Sequence, residues 1–226
     1  MDSSSLRKNV PLLVVLLFIL FMYVSSNIAK HSMKDPKFSR DLSTTYPKTA
    51  YQALFTQKSD KGEGHAILSS DGCGHLRLKE QASVLKYTHD TVDPKQEPKS
   101  LKVDVARITL LDYLNGKKYV VFDHDKAYQE SELSNLGVGI FDEEMFRSSK
   151  ATSLGTSEME GQEVRGWRTT LPLTDDEQIE AWFSTKNGCL VYARGNGVET
   201  RLLKYMNVGL PPQAFEPPPD YKKSKI

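Results

Sequence analysis

From residue 51 to residue 208 the chain is a succession of short runs in which apolar and polar residues alternate, most of them closed by glycine, asparagine or aspartate. Period-two alternation puts every second side chain on one face, the mark of a strand with one buried side. Residues 75–79 show it cleanly: Leu76 and Leu78 fall on one face, Arg77 and Lys79 on the other. Runs of this kind occupy residues 51–56, 64–69, 75–79, 103–113, 118–122 and 127–130, then 151–159, 162–170, 178–184, 189–194 and 199–208. The pair Asn115-Gly116 is a strong hairpin signal, because both residues tolerate positive φ. One stretch, residues 142–147, looks helical, acidic at its start and basic at its end as the helix dipole prefers. Sequential hairpins with scarcely a helix predict a mainly β fold, an antiparallel meander that curls into a curved sheet or a barrel.

The other constraint lies at the N-terminus. Residues 10–24 carry no charge and follow Arg7 and Lys8. As a helix they rise about 22 Å, short of the roughly 30 Å hydrocarbon core; extension through Ala29 reaches the span. The chain then divides into a basic tail (1–9), a transmembrane anchor or signal segment (10–29), a polar linker broken by Pro36 and Pro47 (30–50) and one β domain (51–223). A retained anchor makes it a single-pass membrane protein with an extracytoplasmic domain, periplasmic or at the cell surface. Cleavage would make it secreted. Basic residues on both sides of the segment leave the charge bias indecisive, and a short basic tail before an early apolar run, the usual export signal, favours an inside N-terminus.

A formal net charge of +1 gives no field that would gather nucleic acid. Asp123-His124-Asp125 offers metal-ligand chemistry, but it sits between two strands, where aspartate is an ordinary turn residue. The acidic runs 142–144 and 175–177 read as a helix start and a solvated face. Three G-x-G matches (Gly72/Gly74, Gly137/Gly139, Gly195/Gly197) lack the following helix that a phosphate cradle needs. No catalytic, cofactor-binding or metal residue is assigned, and no cofactor is expected. His65, His75 and Asp112 could meet across strands, and a concave cleft holding a histidine and a carboxylate in hydrogen-bond contact, both partly buried, would be the sign of catalysis. Cys73 and Cys189 each lie at the turn edge of a strand, and a disulfide between them is permitted in an oxidising compartment.

The order of elements resembles a known family. Its carriers are residues 51–56, 64–69, Asp71-Gly72-Cys73-Gly74-His75-Leu76-Arg77, residues 108–113, Lys117 to Val121, a Gly161…Trp167 strand, Ile179 to Phe183, and the ending Phe215 to Lys223. Over residues 48–223 this is similar to the uncharacterised exported relatives of the lipoprotein carriers LolA and LolB. The resemblance implies an open half-barrel whose concave apolar face holds acyl chains, with short helices as a lid. Expected function is then a membrane-anchored binding module for an acyl chain or a lipidated partner. The alternative is a non-catalytic envelope scaffold or interaction subunit whose concave face is filled by its own side chains.

Alternation assigns the faces. Leu76, Leu78, Ile108, Leu110, Ile179, Ala181, Phe183, Leu190 and Tyr192 are expected on the concave side, and of these Leu76, Leu78, Ile108, Leu110, Ile179, Phe183 and Tyr192 are the candidate cavity lining. Arg77, Lys79, Arg107 and Glu180 are expected on the convex side. Trp182 and Phe183 must point to opposite faces.

Overall fold

A computed structural model describes residues 41–42, 44–60, 62–88, 99–134, 136–170 and 178–224. The anchor or signal segment and the first part of the linker lie outside the described residues. Six strands form a first meander: β1 (Ala50–Ser59), β2 (Gly62–Asp71), β3 (His75–Thr88), β4 (Lys99–Asp112), β5 (Lys117–Phe122) and β6 (Ala127–Glu132). A short helix, α1 (Glu143–Ser148), leads to a second meander of β7 (Thr152–Met159), β8 (Gln162–Thr170), β9 (Gln178–Ser184), β10 (Leu190–Gly195) and β11 (Val198–Met206). β11 pairs antiparallel with β1 and so joins both meanders into one twelve-stranded sheet, β12-β6-β5-β4-β3-β2-β1-β11-β10-β9-β8-β7. The last strand, β12 (Lys222–Lys223), runs parallel to β6. The sheet is mainly antiparallel and open, since β12 and β7 do not pair.

Turn chemistry explains the hairpins. At the β2–β3 turn, Asp71 Oδ1 accepts the backbone N–H groups of Cys73 and His75 at 2.7 and 3.0 Å. Gly72 takes φ +75°, and a Cβ there would lie 2.9 Å from the Ala50 nitrogen, so glycine fits on both counts.

One face of the sheet carries the main core. Tyr51, Ala53 and Phe55 of β1, Ala66 and Leu68 of β2, Leu76 and Leu78 of β3 and Leu111 of β4 are all buried there. Ile179, Ala181 and Phe183 of β9 join them, with Leu190 and Ala193 of β10. Onto this face settle α1 and the 3-10 turn Gly139–Phe141 before it. Asp142 caps α1 by accepting the Glu144 N–H, and the helix buries Met145 and Phe146. The Phe146 ring stands 5.6 Å from Phe183, and Phe141 4.9 Å from Phe55. Alanines at 53, 66, 181 and 193 leave the depth these large side chains occupy.

The opposite face has a smaller cluster of Ile108, Leu110 and Val121, with Tyr119, Tyr128 and Tyr221 packed against it. This corrects the expected faces of β4. Leu76 pairs with Leu111 and Leu78 with Thr109, so Ile108 and Leu110 point away from α1. Arg107, opposite Glu80, points toward it. The stretch Ile108-Thr109-Leu110-Leu111 is apolar on both sides, which hides its parity. Tyr192 is a second correction. A bulge between Leu190 and Tyr192 resets the alternation, so Leu190 stays in the main core while Tyr192 leaves it. Tyr192 instead lies against Arg201, 5.0 Å from the ring, and donates to Glu199.

Other expectations are adjusted as well. β3 and β4 pair over their full lengths, from His75–Asp112 to Thr88–Lys99, well past the residues whose alternation is legible. The second half of the expected linker packs on the domain, with Leu42 and Tyr46 against the main core. Trp182 and Phe183 do face opposite ways: Phe183 is in the core, while the Trp182 ring lies over Gly166, where a Cβ would meet it at 2.6 Å.

Candidate functional site

Beside α1 the helix-covered face keeps a crevice of about 260 Å³. Tyr51, Leu76, Val138 and Phe141 give it an apolar floor, while Asp142, Glu144 and Arg147 stand at its polar side. Tyr51 is 5% exposed. Burial, with Cys189 and Asp142 near by, pushes its phenol well above the ordinary tyrosine range, so it is a neutral hydroxyl at any physiological pH. The Tyr113 hydroxyl donates to Asp142 Oδ2 at 3.3 Å.

Glu143 fixes the helix that borders the crevice. Its Oε1 accepts from Arg147 of α1 at 3.3 Å, and from Arg165 and Trp167 of β8 at 3.2 and 3.0 Å. Three donors on one carboxylate oxygen pin α1 to the second meander, a charge-assisted contact stronger than a neutral one.

Along the same face, past the apolar floor, the side chains become charged. Leu76, Leu111 and Lys118 form one cross-strand row from β3 to β5. Glu80 and Arg107 stand opposite each other, with Arg107 Nε 3.9 Å from Glu80 Oε2 and 3.3 Å from Thr109 Oγ1. Burial pushes the Glu80 carboxyl up. Burial, and then the Arg107 charge, push the Lys118 ammonium down to about 8. Sequence reasoning missed this trio, because the parity of β4 decides whether Arg107 and Glu80 share a face.

Of the proposed cavity residues, Leu76 lines the crevice. Leu78, Ile179 and Phe183 lie in the core behind it. Ile108, Leu110 and Tyr192 are elsewhere, as described above.

His75 does meet carboxylates, on the opposite face. Its Nδ1 lies 2.6 Å from Asp71 Oδ2, and its Nε2 lies 3.9 Å from Asp112 Oδ1. His65 is not part of this group; it is exposed on β2 opposite Thr56 and Gln81. Burial raises the Asp71 carboxyl, but the Cys73 amide and then the His75 side chain and amide outweigh it and hold Asp71 below the ordinary range. Asp112 accepts the Asn115 N–H at 2.9 Å and its Nδ2 at 2.7 Å. Each carboxylate therefore organises a hairpin turn, and the Phe215 ring sits 6.4 Å from His75.

Asp123, His124 and Asp125 occupy the exposed β5–β6 turn, and among the described residues no three metal-ligating side chains come together. The acidic run 175–177 lies outside the described residues. The disulfide that the sequence permits is absent: Cys73 is a free thiol exposed in the β2–β3 turn, and Cys189 is a free thiol buried in the core. The turn projects Cys73 away from the interior, whereas the start of β10 carries Cys189 into it.

No family model matches the sequence, and no curated protein matches it. Among solved structures, the chain is similar to an uncharacterized conserved protein from Thermus thermophilus, at 9% identity and a TM-score of 0.49 over 86% of this chain and 98% of that one. It is similar to MucB in the Pseudomonas aeruginosa MucA/MucB complex, at 11% identity and a TM-score of 0.42, covering 82% of this chain and 62% of that one. It is also similar to the LolA superfamily protein NE2245 from Nitrosomonas europaea, at 10% identity and a TM-score of 0.30, over 80% of this chain and 96% of that one.

Proposed function

We propose that the protein is a non-catalytic binding module of the cell envelope, held to a membrane by residues 10–29, that takes an apolar ligand on the helix-covered face of its sheet. The ligand is an acyl chain or the acyl group of a lipidated partner. The observation that carries this reading is the crevice beside α1, whose floor of Tyr51, Leu76, Val138 and Phe141 is apolar and left unfilled by the protein's own side chains. The crevice is smaller than the roughly 300–1,000 Å³ of pockets that enclose a whole small molecule. It fits a protruding group better than an entire lipid.

A second reading, an interaction subunit with a filled face, draws on one specific observation. Met145, Phe146 and Phe183 are at most 1% exposed and close most of the surface under α1. Native mass spectrometry of the full-length protein released from detergent micelles separates the two. A co-purifying acylated mass is expected from the binding module, and a bare chain from the interaction subunit. The anchor is tested by alkaline extraction of membranes, from which the full chain should stay in the pellet and a chain lacking residues 1–30 should be released.

The non-catalytic part of the reading is supported by the carboxylates beside His75, both of which already hold turns. Esterase and glycosidase assays that gave activity abolished by His75→Ala would overturn it.

A further inference from the structure

Tyr51 leaves a polar atom unused in the crevice beside α1. The residue is 5% exposed and lines the floor with Leu76, Val138 and Phe141. Its ring is held by stacking on Tyr205, with the centroids 5.4 Å apart. Its hydroxyl makes no hydrogen bond with any described residue. A buried tyrosine O–H ordinarily finds a partner, because a polar group taken from water without one costs free energy. Phenylalanine would pack the same floor without that cost.

The polar side of the crevice carries a second unused group. Glu144, half-buried on α1, makes no hydrogen bond or ion pair through its side chain with any described residue. Asp142 beside it is engaged: Oδ1 accepts the Glu144 N–H at 3.1 Å and Oδ2 the Tyr113 hydroxyl at 3.3 Å. The cations near by are placed elsewhere. Arg147 donates to Glu143 at 3.3 Å, and Lys48 Nζ lies 3.1 Å from the Tyr46 ring centroid. Acidic residues at the start of α1 suit the helix dipole, but the dipole gives no reason for the Tyr51 hydroxyl.

A carboxylate entering this crevice would meet the like charges of Glu144 and Asp142. A neutral hydroxyl could serve Tyr51 and would leave Glu144 without a counter-charge. An ammonium serves both, since it is charged and carries several N–H donors.

We infer that the crevice takes an aliphatic ammonium, which donates to Glu144 and to the Tyr51 oxygen while its methylenes lie on Leu76, Val138 and Phe141. The inference rests on the apolar-ligand function proposed above and names the head of that ligand: an amphiphile whose polar end is cationic. Aromatic lining suits such a cation, as the Lys48 ammonium over the Tyr46 ring shows.

The test uses the full-length protein in dodecyl maltoside micelles at pH 7, with empty micelles as the blank. Calorimetric titrations compare octylammonium, octanol and octanoate, which share a chain length and differ in the head. Acetyl-lysine methylamide stands for a lysine side chain on a peptide. Octylammonium should bind about tenfold more tightly than octanol, the worth of one hydrogen bond to a charged group, and octanoate more weakly than either. Glu144→Gln should erase the preference for the ammonium and leave octanol binding as it was. Tyr51→Phe should reduce the preference and leave Tm no lower than the parent's. Thermal melts confirm that both variants are folded.

A preference that survives Glu144→Gln, or that Tyr51→Phe leaves untouched, would overturn the site. So would a fall in Tm on Tyr51→Phe, which would mean that the fold itself uses the hydroxyl. Octanol or octanoate binding as tightly as octylammonium would remove the cationic head and leave the apolar-ligand function standing. Acetyl-lysine methylamide binding as tightly would replace the amphiphile with a lysine of a partner protein. Binding of no probe would overturn both the inference and the function on which it rests.

Discussion

Cys189 and Lys118 show how burial changes the chemistry of a single side chain. Burial pushes the Cys189 thiol up to about 12, so it carries almost no thiolate at neutral pH, and the thiolate is the reactive form. Cys73, exposed in its turn, has no such shelter. A folded chain should therefore release one equivalent of thionitrobenzoate from an aromatic disulfide reagent at pH 8, and a second only after denaturation. Two equivalents from the folded protein would mean that the start of β10 opens readily. Lys118 has the opposite sign of consequence. Its ammonium is held at about 8 in the folded protein against an ordinary 10.5. Between those values the unfolded chain binds more protons than the folded one, so stability rises with pH across that window. Below about 8 the ammonium is charged in both states, and its desolvation is a standing cost. Lys118→Met should stabilise the protein by on the order of 1–3 kcal/mol at pH 7. The gap between variant and parent should close as the pH rises from 8 toward 10.5, measured by denaturant titration at each pH. A gap that stays constant would show that Lys118 is well solvated.

At the scale of elements, α1 is the piece that makes one face a core. It is too short to be stable alone. Its hold comes from Met145 and Phe146 below and from Glu143 at its side. Glu143→Ala removes the common acceptor of Arg147, Arg165 and Trp167 and should cost about 2–3 kcal/mol. The Trp167 emission should shift to the red as the indole N–H loses its acceptor. An unshifted spectrum would place the hold on α1 in the apolar contacts alone. Most strands are legible from sequence because one face is apolar and the other charged, as in Leu76-Arg77-Leu78-Lys79. Helix α1 is legible from its charge order. What alternation cannot give is parity where both neighbours are apolar, and Ile108-Thr109-Leu110-Leu111 is such a place. Nor can it give a bulge, which at Val191 separates Leu190 from Tyr192. The first of these falls on the site. With β4 reversed, Arg107 reads as solvated, and its place opposite Glu80 is invisible. Asp71-Gly72 reads correctly as a turn, but nothing in the sequence says that its carboxylate also takes His75.

On the scale of the molecule, the chain crosses from one face of the sheet to the other, and the two faces have separate cores. After β11 the chain, rich in proline and unable to donate into a ladder at those residues, runs across the face away from α1. Phe215 is buried there beside His75, and Tyr221 packs on Ile108, Leu110 and Val121. The strap is then fastened at the β6 edge. Lys222 N–H donates to the Lys126 carbonyl at 2.9 Å and Ser224 N–H to that of Tyr128 at 2.8 Å, while Lys223 Nζ meets Glu130 at 2.6 Å. Without it the second cluster would be an apolar patch on an open sheet, the kind of surface that recruits other chains. A chain ending at residue 210 should therefore lose about 3 kcal/mol, the burial of Phe215 and Tyr221 together. In a protein of this size that is a fall of roughly 6–12 °C in Tm. It should also gain binding of a hydrophobic dye. The decisive reading is the other face. Because the main core shares no side chain with the second cluster, the Trp167 emission of the shortened protein should match that of the parent. A truncation that altered both faces at once would show that the strap holds the curvature of the whole sheet, rather than covering one side of it.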